Sequence, residues 1–167
     1  MNHFFDIRQV QSAMESQLAF FFRILSDAEE LDLFHPHPFT SQQASVIANC
    51  SGKDFYVLMM LEDSVVGYGM LRGWDEGYDI PSLGITIHPK FRGLGIGNLM
   101  MQYLHVVARL KGCQKIRLRV KKGNTRARRL YEKFGYQFTE DSTEYSIGLV
   151  QLKSPDRSKA WQMENAE

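Results

Sequence analysis

Cysteine is scarce in this chain: Cys50 and Cys113 are the two among 167 residues. They lack metal-ligand spacing, which excludes Cys-rich zinc modules, and two cysteines cannot staple a disulfide scaffold. The usage fits a reduced, cytoplasmic compartment. Long hydrophobic runs are missing too. Nothing approaches eighteen uninterrupted apolar residues, so no membrane-spanning helix is expected. Met1 to Val10 alternates aromatic and polar residues without a basic leader, so a signal peptide is not expected. Repeats, low-complexity blocks and Pro/Gly-rich linkers are absent before about residue 153. What remains is 44% hydrophobic and 12% aromatic, enough for a core and too apolar for a disordered chain. The length suits one domain, placed at residues 1–152, with a polar tail at 153–167 expected to be mobile.

The net charge of +1 hides an asymmetry. Residues 1–86 carry twelve acids against four Lys/Arg, and residues 87–167 carry sixteen Lys/Arg against seven acids. Eleven basic residues and one acid, Glu132, lie between Arg109 and Lys133. Such a split suggests an anionic partner for the basic half, or simply a solvated cationic face.

Local patterns give an order of elements. Phe4 to Val10 reads as a strand and Gln11 to Leu25 as an amphipathic helix, with Asp27 to Leu33 as its continuation after a break. The prolines of Phe34-His35-Pro36-His37-Pro38-Phe39 exclude helix there. Thr40 opens a further helix to Asn49, with Gln43 placed for a capping box. Phe55 to Leu61 and Val65 to Arg72 form a hairpin around Glu62-Asp63-Ser64, and Leu83 to Ile87 is a third strand. Ile96 to Lys111 has the strongest helical period, through Leu99, Met100, Tyr103, Leu104, Val107 and Leu110, with Gly112 at its C-terminal stop. Ile116 to Val120 is a strand, and Asn124 caps a helix from Thr125 to Phe134 that stops at Gly135. Tyr136 to Phe138 and Glu144 to Leu152 close the chain as strands. The class is α/β, in the α+β sense: a mixed sheet covered by helices.

The most informative stretch is Leu83-Gly84-Ile85-Thr86-Ile87-His88-Pro89-Lys90-Phe91-Arg92-Gly93-Leu94-Gly95-Ile96-Gly97-Asn98. A buried strand stops, and a loop with alternating glycines opens a helix. Successive backbone N–H groups at a helix N-terminus form an anion-binding nest, and Arg92 adds a positive charge. The alternative is a tight turn with no ligand. A Walker A loop is excluded because Gly97 is followed by Asn98-Leu99, and a dinucleotide fingerprint lacks its third glycine.

Arg92-x-x-Gly95-x-Gly97 resembles the R/Q-x-x-G-x-G/A pyrophosphate loop of the GNAT superfamily of acyl-CoA-dependent N-acetyltransferases. About thirty residues on, Asn124-x-x-Ala127-x-x-Leu130-Tyr131-x-x-x-Gly135-Tyr136-x-Phe138 resembles that family's second motif. The likeness covers about Leu83 to Phe138. It implies a mostly antiparallel sheet of six to seven strands flanked by helices, and acetyl-CoA as co-substrate with no metal. Ile85, Thr86 and Ile87 are then expected to pair with the pantetheine arm. Arg92, Gly93, Leu94, Gly95, Ile96, Gly97 and Asn98 are expected to hold the pyrophosphate, and Asn124 to contact the pantetheine. Tyr131 becomes the general acid for the departing thiolate, although by itself it reads more readily as a core tyrosine. One of Arg126, Arg128 and Arg129 is available to the 3′-phosphate.

The reaction so implied is attack of a neutral primary amine on a thioester, with a strand N–H stabilising the tetrahedral oxyanion and no covalent enzyme intermediate. Tyrosine, with an ordinary pKa of about 10, can donate from a positioned hydroxyl. One departure bears on the acceptor. Peptide N-terminal acetyltransferases of this superfamily often carry glutamate five residues before the motif asparagine, and here that position is Arg119. A guanidinium stays protonated and cannot act as base. A ribosomal-protein acceptor is therefore disfavoured, and a small amine such as an aminosugar or amino acid is favoured.

Candidate acceptor residues are Glu76 and Asp79, in the acidic loop Trp74 to Pro81, and His35 and His37. The carboxylates either attract a cationic amine or belong to a solvated hairpin loop, and an imidazole titrates where a base is needed. His-x-His has no third ligand at recognisable spacing, so zinc is not expected. Two rival readings are a basic nucleic-acid-binding module on Arg109 to Lys133 and a catalytically silent acyl-CoA sensor. The first lacks aromatic interleaving, and Lys115, Arg117 and Arg119 alternate with apolar residues like one exposed sheet face. Neither nucleic-acid nor membrane partners are expected; a homodimer is compatible with the family.

Overall fold

The computed structural model describes residues 4–28, 33–140 and 142–153. The strands are β1 (Phe5–Gln9), β2 (Phe55–Leu61), β3 (Ser64–Arg72), β4 (Ser82–Ile87), β5 (Lys115–Lys121), β6 (Gln137–Glu140) and β7 (Tyr145–Gln151). The helices are α1 (Glu15–Asp27), α2 (Ser41–Ala48), α3 (Ile96–Leu110) and α4 (Thr125–Lys133). Single-turn 3-10 helices precede α1 and follow β4. The expected helical continuation after Asp27 lies in part, and the tail in all but its first residue, outside the described residues.

The strands form one sheet in the order β1-β2-β3-β4-β5-β7-β6. Every neighbouring pair is antiparallel except β4 and β5. These two meet at a single register pair, Ser82 opposite Arg117, beside an N–H of Arg117 that donates to the Pro81 carbonyl at 3.0 Å. Beyond it β4 pairs through Ile87 with β3 on its other side and has no β5 partner. The sheet therefore opens between β4 and β5.

Two apolar layers cover the sheet. Val57 and Met59 of β2 enter one layer, with Met100, Met101 and Leu104 of α3 and Ile116, Leu118 and Val120 of β5. Leu58 and Met60, pointing the other way, enter a second layer with Leu18, Phe21, Phe22 and Leu25 of α1. Side chains alternate along a strand, so β2 must be apolar at every position to sit between them. The second layer draws on β2 and β3 but on no residue of β5. The outward side chains of β5, Lys115, Arg117 and Arg119, are correspondingly exposed.

Caps and stops fall where local chemistry requires them. The Thr40 hydroxyl accepts from Gln43 N–H at 3.1 Å to open α2. The Asn124 Oδ1 accepts from Ala127 N–H at 3.1 Å to open α4. Gly112 and Gly135, beyond α3 and α4, have positive φ. The phase of α3 is a correction. Leu99 and Leu110, expected on its buried stripe, are exposed, Leu110 at 79%, while His105 is buried. A helix apolar on much of its circumference does not reveal its inner face by period alone. Here Met100, Leu104 and Ala108 take it, and His105 follows because it lies one position beyond Leu104.

Candidate active site

The opening between β4 and β5 is a cleft of about 510 Å³. One wall is the end of β4, with Ile85, Thr86 and Ile87; the other includes Arg119 and Val120 of β5. Its floor carries the start of α3 and the inner face of α4. Of the residues expected to hold the co-substrate, Arg92, Gly93, Gly95, Ile96, Gly97, Asn98 and Asn124 line it as well. Leu94 does not: it is 70% exposed at the tip of the loop.

The loop has the geometry of an anion cradle. Gly93 and Gly95 adopt φ of 84° and 83°, which favours glycine, and a Cβ at either would meet no atom within 4 Å. The left-handed backbone, rather than crowding, demands glycine there. The first bond of α3 runs from Leu99 N–H to the Gly95 carbonyl at 3.1 Å. The N–H groups of Ile96, Gly97 and Asn98 thus lack intrahelical acceptors at the positive end of the helix dipole. Arg92 is held beside them, its Nε donating to the Ile87 carbonyl at 3.2 Å. These features fit a pyrophosphate.

Tyr131 projects from α4 into the same cleft and is 5% exposed. Its hydroxyl has no hydrogen-bond partner among the described residues, and burial pushes its pKa upward. The group is therefore protonated near neutrality, as a proton donor must be. Tyr136 is built differently. Its hydroxyl sits 3.0 Å from His105 Nε2 in the core, where burial, assisted by Arg109, pulls His105 down to about 4. Arg126 and Arg129 line the cleft, whereas Arg128 pairs with Glu132 at 3.0 Å and stacks on Phe138.

The acceptor-side candidates separate. His35 lines a second, smaller cavity of about 240 Å³ that shares Leu33, Phe34 and Arg119 with the first. His37 does not reach it. It is 8% exposed in the α1 layer, with Nδ1 3.0 Å from the Pro38 carbonyl and Nε2 2.9 Å from the Tyr68 hydroxyl. The neighbouring carbonyl fixes the proton on Nδ1, so Nε2 accepts from Tyr68, and burial lowers the pKa of the ring. His37 is a core histidine.

The acidic loop also departs from expectation. Asp75 accepts from Lys53 and Asp54 N–H at 2.7 and 3.2 Å, and Asp54 Oδ1 accepts from Gly73 and Trp74 N–H at 2.8 and 2.9 Å. These carboxylates staple the loop to the start of β2. Asp79 is exposed and lines neither cavity, while Glu76 lines the smaller one, 3.2 Å from Arg72 Nη2. Arg117, which sequence reasoning placed only on an exposed face, lines it too, as does Lys121, for which the sequence suggested no role. The alternation along β5 was the available signal for their shared face.

Residues 18–136 match the model of the Acetyltransferase (GNAT) family. Among solved structures, an acetyltransferase of the GNAT family from Streptococcus pneumoniae superposes with a TM-score of 0.77 at 18% identity, over 90% of this chain and all of that one. The yncA structure from Salmonella typhimurium, with its cofactor acetyl-CoA, gives 0.71 at 17% identity, covering 91% and 96%. The ribosomal-protein-S18-alanine N-acetyltransferase from Escherichia coli gives 0.68 at 15%, covering 90% and 95%. At these identities the likeness concerns the fold, and the family match carries the assignment. With a split β4–β5 edge, a glycine cradle and a buried tyrosine in one cleft, the chain belongs to the GNAT family of acetyltransferases.

Proposed function

We propose that this protein transfers the acetyl group of acetyl-CoA to a primary amine of a small acceptor. The observation that carries this reading is the meeting of Tyr131, the end of β4 that lacks a β5 partner and the α3 cradle in one cleft. The N–H groups of Ile96 to Asn98, with Arg92, bind the pyrophosphate, and Arg126 and Arg129 are at hand for the remaining phosphate. Bound acetyl-CoA supplies an activated acetyl thioester. The backbone at Ile85 to Ile87, open toward β5, orients the pantetheine by strand-like pairing. As the C–N bond forms and the C–S bond breaks, Tyr131 donates its hydroxyl proton to the leaving sulfur, and the proton lost by the amine restores the balance through solvent.

The Salmonella relative's acetyl-CoA supports this choice of co-substrate. The E. coli neighbour's protein acceptor is not carried over, because Arg119 lines the cleft where a carboxylate base would be wanted. The two cysteines, exposed Cys50 and half-buried Cys113, are free thiols, which supports a cytoplasmic setting. Calorimetry with acetyl-CoA, followed by a thiol-release screen over an amine library, tests the proposal. Heat of binding and acceptor-dependent thiol release are expected. No heat would refute it, and heat without release on any amine would identify a sensor instead.

A further inference from the structure

Among its described lining residues the smaller cavity is cationic, which is unexpected for a site that receives an amine. Arg72 of β3 and Arg117, Arg119 and Lys121 of β5 line it, and Glu76 is the one carboxylate among the described lining residues. Glu76 is already engaged by Arg72, whose Nη1 also donates to the Pro36 carbonyl at 2.9 Å. The other guanidiniums are oriented by aromatic rings: Arg117 lies 5.2 Å from the centroid of Tyr78, and Arg119 lies 4.0 Å from that of Tyr145. The co-substrate does not account for this set. The larger cleft has its own cations in Arg92, Arg126, Arg129 and Lys133, and Arg72, Arg117 and Lys121 do not line it. Arg119 belongs to both cavities and stands where they adjoin.

We propose that the acceptor is a small amine that also carries an anionic group, a carboxylate or a phosphate, held by Arg117 and Lys121. This rests on the acetyltransferase reading and narrows its acceptor class. Guanidinium forks suit either anion, and a cavity of about 240 Å³ suits a single amino acid or a phosphorylated amine rather than a polymer. Positive charge near the amine also disfavours its ammonium form, so the same side chains help supply the neutral nucleophile. The strand pattern explains the assembly. Arg117, Arg119 and Lys121 share the face of β5 that the α1 layer leaves uncovered.

The test uses the full chain with acetyl-CoA and four probes: glutamate, phosphoethanolamine, n-butylamine and putrescine. Glutamate or phosphoethanolamine, or both, should show a KM at least about tenfold below those of the other two, and it should rise with salt. Glutamate alone would assign a carboxylate, and phosphoethanolamine alone a phosphate. Arg117→Gln and Lys121→Gln should each raise that KM about tenfold, the loss of one charge-assisted hydrogen bond. Both should leave calorimetric acetyl-CoA affinity within about twofold, a measure that also reports on folding. As a readout independent of turnover, N-acetylglutamate or N-acetylated phosphoethanolamine should bind the CoA-loaded protein by calorimetry, and bind more weakly to both variants. Preference for putrescine or n-butylamine, unchanged KM in both variants, or no binding and no turnover with either anionic amine would overturn the proposal. Absence of acetyl-CoA binding would remove the acetyltransferase reading and this one with it. Binding together with acetylation of the cationic or neutral amines would remove this one alone.

Discussion

Tyr131→Phe separates the chemical role of this residue from its packing. The substitution deletes one oxygen and keeps the ring that fills the α4 side of the cleft. Because that hydroxyl makes no hydrogen bond within the described structure, its loss should change unfolding free energy by less than about 1 kcal/mol, the scale of one ordinary hydrogen bond. A positioned general acid contributes about 10² to 10⁴ in rate, or roughly 3 to 5 kcal/mol of barrier. We therefore expect kcat to fall at least about a hundredfold by thiol release at saturating substrates, with acetyl-CoA affinity within about threefold by calorimetry. The neighbouring Tyr136→Phe is the control. It strips the partner from buried His105 and should cost about 1 to 3 kcal/mol of stability in urea titrations, with kcat within about threefold of the parent. A Tyr131→Phe enzyme that turns over normally would refute the acid assignment. So would a kinetic loss that appears at Tyr136 instead.

Acid should weaken the fold through its buried histidines. His105 is held at about 4 in the folded chain, below its ordinary 6.5, so the unfolded chain binds the extra proton between those values. Stability is then full above about pH 6.5 and falls by about 2 to 3 kcal/mol as pH drops toward 4, with His37 adding in the same direction. Urea titrations between pH 7 and 5 should show the slope, His105→Gln should flatten it, and equal slopes would dismiss the assignment. Gly95→Ala should strain the loop by about 1 to 2 kcal/mol and weaken acetyl-CoA binding in calorimetry. Gly97→Ala should be tolerated there, since its Cβ would make only an ordinary 3.4 Å contact with Leu130. Asn124→Ala should lower stability by about 1 kcal/mol in thermal melts through the lost cap, and Asn124→Asp should restore it.

Whatever depends on neighbours along the chain was legible in the residues themselves. Thr40 and Asn124 announce their helices because a capping side chain needs only the next turn. The Arg92 to Asn98 cradle was legible because left-handed glycines and a helix start are local features. Alternation likewise placed Lys115, Arg117 and Arg119 on one face of β5. Tertiary structure decided what each face meets. His37 and His105 became core residues because Tyr68 and Tyr136, each thirty-one positions away, supplied their partners. The acidic loop was tied to the start of β2 because Asp54 and Asp75 found N–H donors across the β2–β3 ends. The cationic face of β5 became a cavity wall only because the α1 layer stops short of it and Arg72 and Tyr78 close the far side. Charge and period set which residues can share a surface, while the packing of distant segments sets whether that surface borders water, core or substrate.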